Sequence, residues 1–437
     1  MIFAKMSFMN KKALIKELIS DFHTTPLRVQ KRRELQLPLE LDKIIVVTGM
    51  RRSGKTSLLL GAIQELRQRL PKESILYLNF EDERLHLEAN DLDIILQSYR
   101  ELYPHIELDK CYFFFDEIQE IEGWEKFVRR IDESVSRHLF VTGSNAKLLG
   151  SDIATALRGR SLRYEVFPLS FGEFLDFMQI PRDANSASDK AQRATAFTRY
   201  LQEGGFPELV FIPDVTTRRK ILQEYFDVMI FKDLIERYHE SNVVALKYFL
   251  KRVIEGVGSP LSIAKIHNEM KSAGFRIAKN TLHDYLEMAQ AVYFGVIASR
   301  YDPSIVRREL SEKKVYVIDN GFLTALTYRY SQEQGKLLEN LVAIELQRRG
   351  IPLLFAKGQK ECDFIVENEG ELIPLQVSID MSFAPTKERE LAGLLTAAKY
   401  VAATRGIIVT LEQEEDFDLE GIHVEILPAW KFLLEGF

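Results

Sequence analysis

Cysteine is nearly absent from the 437 residues: Cys111 and Cys362 are far apart and lack the paired spacing of a disulfide framework or a zinc site. The chain is therefore expected to work in a reducing cytoplasm. No apolar run approaches the roughly 18 residues that a membrane helix needs. The opening Met1-Ile2-Phe3-Ala4-Lys5-Met6 has no long apolar core before Lys11 and Lys12, so neither a membrane span nor an export signal is expected. A large excess of charge is missing too. A net charge of −6 offers nucleic acid no general attraction, so any such contact has to come from a local basic face. What is present is an ordinary globular composition, 46% hydrophobic, in a chain long enough for about two to four domains.

The most informative stretch is Lys43-Ile44-Ile45-Val46-Val47-Thr48-Gly49-Met50-Arg51-Arg52-Ser53-Gly54-Lys55-Thr56-Ser57-Leu58-Leu59-Leu60. A β-branched strand leads into Gly49-x-x-x-x-Gly54-Lys55-Thr56, and leucines at helical spacing come next, which is the context a phosphate-binding P-loop requires. The glycines let successive backbone N–H groups turn inward, and the helix opening at Gly54 adds its positive end. Gly49, Arg51, Arg52, Ser53, Gly54, Lys55, Thr56 and Ser57 are the expected nucleotide-binding residues. Lys55 is expected on the β- and γ-phosphates and the Thr56 hydroxyl on Mg²⁺. Upstream, a helix over Lys12 to Phe22 precedes the polar connector Thr24 to Arg33. Its Lys31-Arg32-Arg33 cluster suits nucleotide, a neighbouring subunit or nucleic acid, though most such charge runs are solvated faces.

Downstream, Ser74 to Phe80 reads as a buried strand ending in Glu81-Asp82-Glu83-Arg84. Lys110 to Phe115 is a second, delivering Asp116 and Glu117 at its end. In a P-loop enzyme the first carboxylate completes the Mg²⁺ shell and the second polarises the attacking water. A third strand, His138 to Gly143, ends in Ser144-Asn145, which either hydrogen-bond that water and the γ-phosphate or cap a helix. Leu157-Arg158-Gly159-Arg160 then offers two guanidiniums; an arginine on the γ-phosphate stabilises transition-state charge, and spacing does not say which of Arg158 and Arg160 does so.

The succession Gly-x-Arg-Arg-Ser-Gly-Lys-Thr, Phe-Phe-Asp-Glu-Ile-Gln, Thr-Gly-Ser-Asn, Leu-Arg-Gly-Arg and Phe167-Pro168-Leu169-Ser170-Phe171-Gly172-Glu173-Phe174 resembles the prokaryotic AAA-type ATPases that carry a C-terminal domain of long-uncharacterised function. The resemblance runs from about Leu37 to the last strand. It implies an α/β fold: an additional-strand, AAA-type P-loop NTPase core, a helical lid and winged-helix region, and a C-terminal α/β domain similar to PD-(D/E)xK restriction nucleases. ATP is the expected nucleotide, since no guanine-reading Asn-Lys-x-Asp motif is present. The expected organisation is an N-terminal helix and connector over 1–36, the ATPase core over 37–178, the helical lid over 179–258, the winged helix over 259–330 and the nuclease-like domain over 331–437.

Within the winged-helix region the pattern is helix, turn, helix: Ile263 to Lys271, the turn Ser272-Ala273-Gly274-Phe275, and Lys279 to Met288. Candidate wing strands Val292 to Ser299 and Lys313 to Ile318 come after it, with Arg300, Arg307, Arg308, Lys313 and Lys314 around the hairpin. A winged helix places its second helix in the major groove and basic wing residues on phosphate. Lys265, Lys271, Arg276 and Lys279 suit that role; Asp284 and Glu287 oppose base reading.

In the last domain, a helix over Gly335 to Leu346 carries Glu339 and Glu345, and it leads to the strands Glu361 to Val366 and Leu372 to Ser378. The resemblance implies a metal-binding Asp and Glu with a Lys two residues after the Glu. Asp363 is kept, but Gln376 stands where the carboxylate belongs and Ser378 where the Lys belongs. Glu339 and Glu345 are the other possible oxygen donors. The expectation is a degenerate nuclease fold kept for binding or assembly. The reading of the whole is a Mg²⁺-dependent ATPase coupled to DNA, self-associating as a ring such as a hexamer, or as a dimer. The alternatives are a nucleotide-switched regulator or scaffold acting on a protein partner, and an ATP-dependent nuclease.

Overall fold

The computed structural model describes residues 2–144, 157–183, 185–238, 240–327, 333–358 and 360–437. The chain divides into two compact units, Met1–Val166 and Phe167–Phe437.

The first unit is built on five parallel strands, β1 (Ile44–Thr48), β2 (Ile75–Asn79), β3 (Tyr112–Asp116), β4 (His138–Gly143) and β5 (Ser161–Glu165), in the order β2-β3-β4-β1-β5. Strand β4 is inserted between β1 and β3, which is the additional strand expected. Near-continuous β-branched and aromatic runs suit strands covered on both faces. Because strand side chains alternate, Ile44, Val46, Phe113 and Phe115 enter one core, and Ile45, Val47, Tyr112 and Phe114 the other. The first core is filled by helices α1 (Ile2–Thr24), α3 (Asp93–Leu102) and α4 (Trp124–Ser134), the second by α2 (Lys55–Leu66). α1 is longer than the periodicity of 12–22 suggested, and His23 near its end lies 2.6 Å from Tyr103 Oη and 2.8 Å from the Ile75 carbonyl oxygen.

The second unit begins with α5 (Phe171–Met178), started by a reciprocal Ser170–Glu173 capping box. Then come α6 (Ala187–Glu203), α7 (Val215–Val228), a π-helical segment (Met229–Glu236), α8 (Val243–Glu255), α9 (Ile263–Ser272) and α10 (Lys279–Ala291). Next are β6 (Gly295–Arg300), α11 (Ile305–Glu309), β7 (Lys313–Val317), α12 (Asn320–Leu326) and α13 (Gln334–Arg348). The chain finishes with β8 (Leu354–Lys357), β9 (Glu361–Asn368), β10 (Glu371–Val377), α14 (Ala384–Val401), β11 (Arg405–Thr410), β12 (Glu415–Leu419), β13 (Ile422–Pro428) and α15 (Ala429–Glu435). Its mixed sheet has the order β12-β13-β11-β10-β9-β8-β6-β7.

Two features depart from the organisation expected of the sequence. Residues 167–178, placed with the ATPase core, fall in the second unit, where Phe171 and Phe174 pack against Phe197 and Tyr200 of α6. The β6–β7 hairpin, expected as the wing of a separate domain ending at 330, is the edge of the C-terminal sheet: β6 runs parallel to β8, with Ser299 opposite Leu354 and Arg300 opposite Phe355. A helix, a turn and a helix do precede that hairpin, but its two strands belong to the same sheet as β8 to β13.

Candidate nucleotide site and the C-terminal carboxylate cluster

The loop after β1 is shaped by backbone geometry. Gly49 has φ 143°, and a Cβ there would lie 2.2 Å from the Val166 carbonyl oxygen, so only glycine fits. Arg52 and Gly54 also take positive φ, 68° and 105°. α2 starts at Lys55 with no side chain capping its first N–H groups, leaving the positive helix end for an anion. Arg33 Nη1 donates to the Ser53 carbonyl oxygen at 2.9 Å, tying the connector to the loop. Arg51 Nη1 pairs with Glu81 Oε1 at 2.6 Å, while Arg52, Thr56 and Ser57 are exposed. The Oγ of Ser53 is buried without a hydrogen-bond partner among the described residues.

Lys55, only 4% exposed, donates to the carbonyl oxygens of Gly49 at 3.1 Å and Met50 at 3.3 Å, and lies 3.2 Å from Glu117 Oε1. Asp116 closes β3. Its Oδ1 accepts from Thr142 Oγ1 at 2.5 Å and its Oδ2 from the Tyr77 hydroxyl at 2.9 Å, and Thr56 lies close by. Burial raises the Asp116 carboxyl above its ordinary range, more than these bonds lower it. Glu117 sits at φ 52°. Its Oε2 accepts from Gln119 Nε2 at 2.6 Å and from the Ser144 N–H at 3.1 Å, while its own N–H donates to Thr142 Oγ1 at 2.8 Å. Burial would raise this carboxyl as well, but Lys55, Gln119 and Arg51 hold it below the ordinary carboxylate range.

The structure thus brings the loop, Lys55, Thr56, Asp116, Glu117 and Ser144 to one edge of the parallel sheet, the carboxyl ends of β1, β3 and β4, where open α/β sheets bind ligands. Asn145 lies outside the described residues. The two arginines part company. Arg160 Nη1 pairs with Glu133 Oε1 at 2.7 Å and Asp132 Oδ2 at 3.4 Å on α4, whereas Arg158 is exposed at φ 51° and has no ion pair among the described residues. Sequence reasoning missed Thr142, Tyr77 and Gln119, and left Arg33 open among several roles. For Thr142 the sequence showed only a place near the end of an apolar strand; that this strand lies beside the Asp116-Glu117 strand comes from the fold. A cavity of about 430 Å³ borders this region, walled by the connector residues Gln30 to Leu39 and by Ser57, Leu58 and Gly61 of α2.

In the second unit, the nuclease-like set is only partly assembled. Glu339 of α13, Asp363 of β9 and Gln376 of β10 converge; Glu345 and Ser378 do not join them. Six residues along a helix turn a side chain roughly 240° away, and Glu345 pairs instead with Arg348 Nε at 3.2 Å and Arg349 Nε at 2.7 Å. Ser378 lies past the end of β10, its Oγ 3.5 Å from the Asp380 carbonyl oxygen. Gln376 Oε1 accepts from the Asp363 N–H at 3.2 Å, and its Nε2 donates to Glu390 Oε2 at 2.5 Å. An amide serves here because one end must donate to a carboxylate. The cluster also contains residues that sequence reasoning did not assign to it. Lys314 Nζ is 2.7 Å from Glu361 Oε1 and 3.5 Å from Glu339 Oε1, and the Tyr316 hydroxyl donates to Glu339 Oε1 at 2.7 Å. Lys314, expected as a wing residue for phosphate, is 1% exposed; strand alternation sends it inward while Lys313 bonds Ser299 Oγ.

Comparison with known proteins gives three matching family models: an AAA domain over residues 41–175, a domain of unknown function (DUF8612) over 194–333 and a domain of unknown function (DUF4143) over 334–432. The uncharacterized protein MJ1544 of Methanocaldococcus jannaschii is 32% identical, covering 98% of this chain and 97% of that protein. An uncharacterized protein of Haemophilus influenzae is 31% identical over 90% of this chain and 94% of its own. Among solved structures, the Aeropyrum pernix ORC1 protein in complex with DNA matches 73% of this chain and 92% of its own at 12% identity, with a TM-score of 0.31. No helix among the described residues is long and apolar enough to cross a membrane. The chain belongs to the family of the uncharacterized protein MJ1544, and its residues 41–175 match an AAA-type P-loop ATPase domain.

Proposed function

We propose that the chain is a Mg²⁺-dependent ATPase whose turnover is coupled to DNA. The observation that carries the hydrolytic reading is the convergence of Lys55, Thr56, Asp116 and Glu117 beneath an uncapped helix N-terminus. Thr56 and Asp116 are the oxygen pair that would hold Mg²⁺, which would neutralise charge developing on the phosphates. The loop N–H groups and Lys55 hold the β- and γ-phosphates. Glu117, kept ionised by Lys55, orients the attacking water and accepts its proton at a carboxylate oxygen. The Ser144 N–H and Gln119 fix that carboxylate in place. The cavity between connector and α2 suits the base, and Arg33 links it to the phosphate loop. Arg158, exposed and without an ion pair among the described residues, fits an arginine supplied to an adjacent subunit of a ring or dimer.

The DNA reading is supported by four exposed cations around α9 and α10, Lys265, Lys271, Arg276 and Lys279, none with an ion pair among the described residues. The hairpin contributes less than the sequence suggested: Arg307 pairs with Asp302, Arg308 bonds the Asp302 carbonyl oxygen, and Lys314 is buried. A second reading, a nucleotide-switched regulator acting on a protein, is favoured by Asp284 and Glu287, both exposed on α10 where they would repel phosphate. Steady-state ATPase activity with single-stranded, duplex and branched DNA, alongside Glu117→Gln, separates the two. Stimulation by one DNA form supports coupling to DNA; a slow rate indifferent to all three supports the switch.

A further inference from the structure

We infer that Lys314 is the resident cation of the C-terminal carboxylate cluster: its ammonium takes the place of a divalent ion among Glu339, Glu361 and Asp363, and excludes hydrolytic metals from it. This does not depend on the ATPase reading. The ammonium enters from β7, two residues from Tyr316 on the same strand face, and the carboxylates come from α13 and β9, so one side chain ties three elements together. An ammonium this buried persists only when paired, and here Glu361 Oε1 at 2.7 Å and Glu339 Oε1 at 3.5 Å pair it.

Two of the oxygens a metal would need are already engaged. Glu339 Oε1 accepts from Tyr316 and faces Lys314, while Asp363 Oδ2 accepts from the Val377 N–H at 2.9 Å. The other side of the Glu339 carboxylate is closed by backbone. A Cβ on Gly258, which has φ 73°, would lie 2.8 Å from Glu339 Oε2. Among the described residues no group of three or more His, Cys, Asp or Glu is arranged to hold a metal ion. With the ammonium in place, a dication would meet a like charge within the shell that must bind it. Without it, the oxygen donors suit a hard divalent ion such as Mg²⁺ or Mn²⁺.

The test is a Mn²⁺ titration of the nucleotide-free full-length chain, reading free Mn²⁺ by its paramagnetic resonance signal. Wild type and Asp363→Asn are expected to give superimposable curves. Lys314→Ser is expected to gain a Mn²⁺ site that disappears again in Lys314→Ser with Asp363→Asn, and its melting temperature is expected to rise on adding Mn²⁺. A folded Lys314→Ser chain that gains no site overturns the inference. Should Lys314→Ser not fold, the wild-type comparison still decides. Mn²⁺ binding, or Mn²⁺-dependent nicking of supercoiled DNA, that Asp363→Asn removes from an otherwise wild-type chain makes Lys314 a member of a working metal centre instead, and overturns it.

Discussion

The ammonium of Lys55 lies 3.2 Å from Oε1 of Glu117, so the residue proposed to grip phosphate and the residue proposed to activate water share one buried ion pair. Replacing Glu117 by Gln keeps the shape and removes the base, and a general base contributes about 10²–10⁴ in rate. The expected result is turnover reduced by about that factor with nucleotide still bound, measured by steady-state hydrolysis beside binding of a fluorescent ATP analogue. Because Lys55 helps hold the Glu117 carboxyl below its ordinary range, the wild-type rate should stay flat through neutral pH and drop only in acid. A rate that begins to fall near pH 7 on acidification would contradict the assignment of Glu117 as the base.

Thr142 links the Asp116 carboxylate to the Glu117 backbone, donating to Asp116 Oδ1 and accepting from the Glu117 N–H. Thr142→Val keeps the volume and leaves a buried acceptor and a buried donor without partners, at a cost of about 1–3 kcal/mol. The variant should unfold at lower denaturant and turn over more slowly, while Thr142→Ser restores both. Equal denaturation midpoints for Thr142→Val and wild type would show that the hydroxyl does not bridge them.

Arg158 and Arg160 differ in what already holds them. Arg160→Ala breaks partly exposed pairs with Glu133 and Asp132, which carry about 0–1 kcal/mol, and should leave turnover close to wild type. Arg158→Ala should lower it by a large factor, since an arginine on the γ-phosphate accounts for about 10³–10⁵ in related enzymes. If the arginine acts in trans, mixing inactive Arg158→Ala and Glu117→Gln chains recovers part of the activity, because mixed assemblies contain intact sites. Two silent variants that stay silent when mixed would place the arginine in cis or outside the reaction.

The nucleotide site was readable because most of it is local. Gly49 to Ser57 is one uninterrupted strand-loop-helix segment, and Asp116-Glu117 ends an apolar run that can only be a buried strand. Thr142 was not readable as a site residue, since its role arises from β4 lying beside β3, a parallel pairing set by contacts distant in the chain. The C-terminal cluster shows the same limit more sharply. Lys314 looked like one more basic residue on a hairpin, and only the joining of β6 to β8 turns β7 and its inward face toward Glu339 and Asp363. Glu345 failed for a simpler reason: helical spacing from Glu339 puts it on another face, which the sequence already implied.

Gln376 stands where a carboxylate was expected, and its surroundings explain the amide. Its Nε2 donates to Glu390 and its Oε1 accepts from the Asp363 N–H. Gln376→Glu would set a new negative charge beside Glu390 in a buried site, so the variant should lose about 1–3 kcal/mol or more at neutral pH and recover part of it in acid as the added carboxyl protonates. Urea denaturation at pH 5 and pH 8 measures this, and a variant as stable as wild type at pH 8 would mean the amide donor is not needed.

Asp319 offers a pH dependence of the opposite kind from the Glu117 base. It is fully enclosed, accepts from the Gly205 N–H at 2.7 Å and the Gly321 N–H at 2.8 Å, and burial against these bonds pushes its carboxyl up to about 7. A Cβ on Gly204, at φ 75°, would fall 1.7 Å from Asp319 Oδ1, so the contact is tight enough to require glycine. Below pH about 4 the carboxyl is protonated in both folded and unfolded chains, and its contribution is whole. Between about 4 and 7 the unfolded chain ionises while the folded one holds its proton, so stability falls by roughly 4 kcal/mol across that window. Above it both states are ionised and the dependence ends. Asp319→Asn cannot titrate, so the stability of wild type relative to this variant should decline as pH rises from 4 to 7 and level off beyond. Thermal melts of the two chains across that range test it, and parallel profiles would show that Asp319 keeps an ordinary carboxylate affinity for its proton.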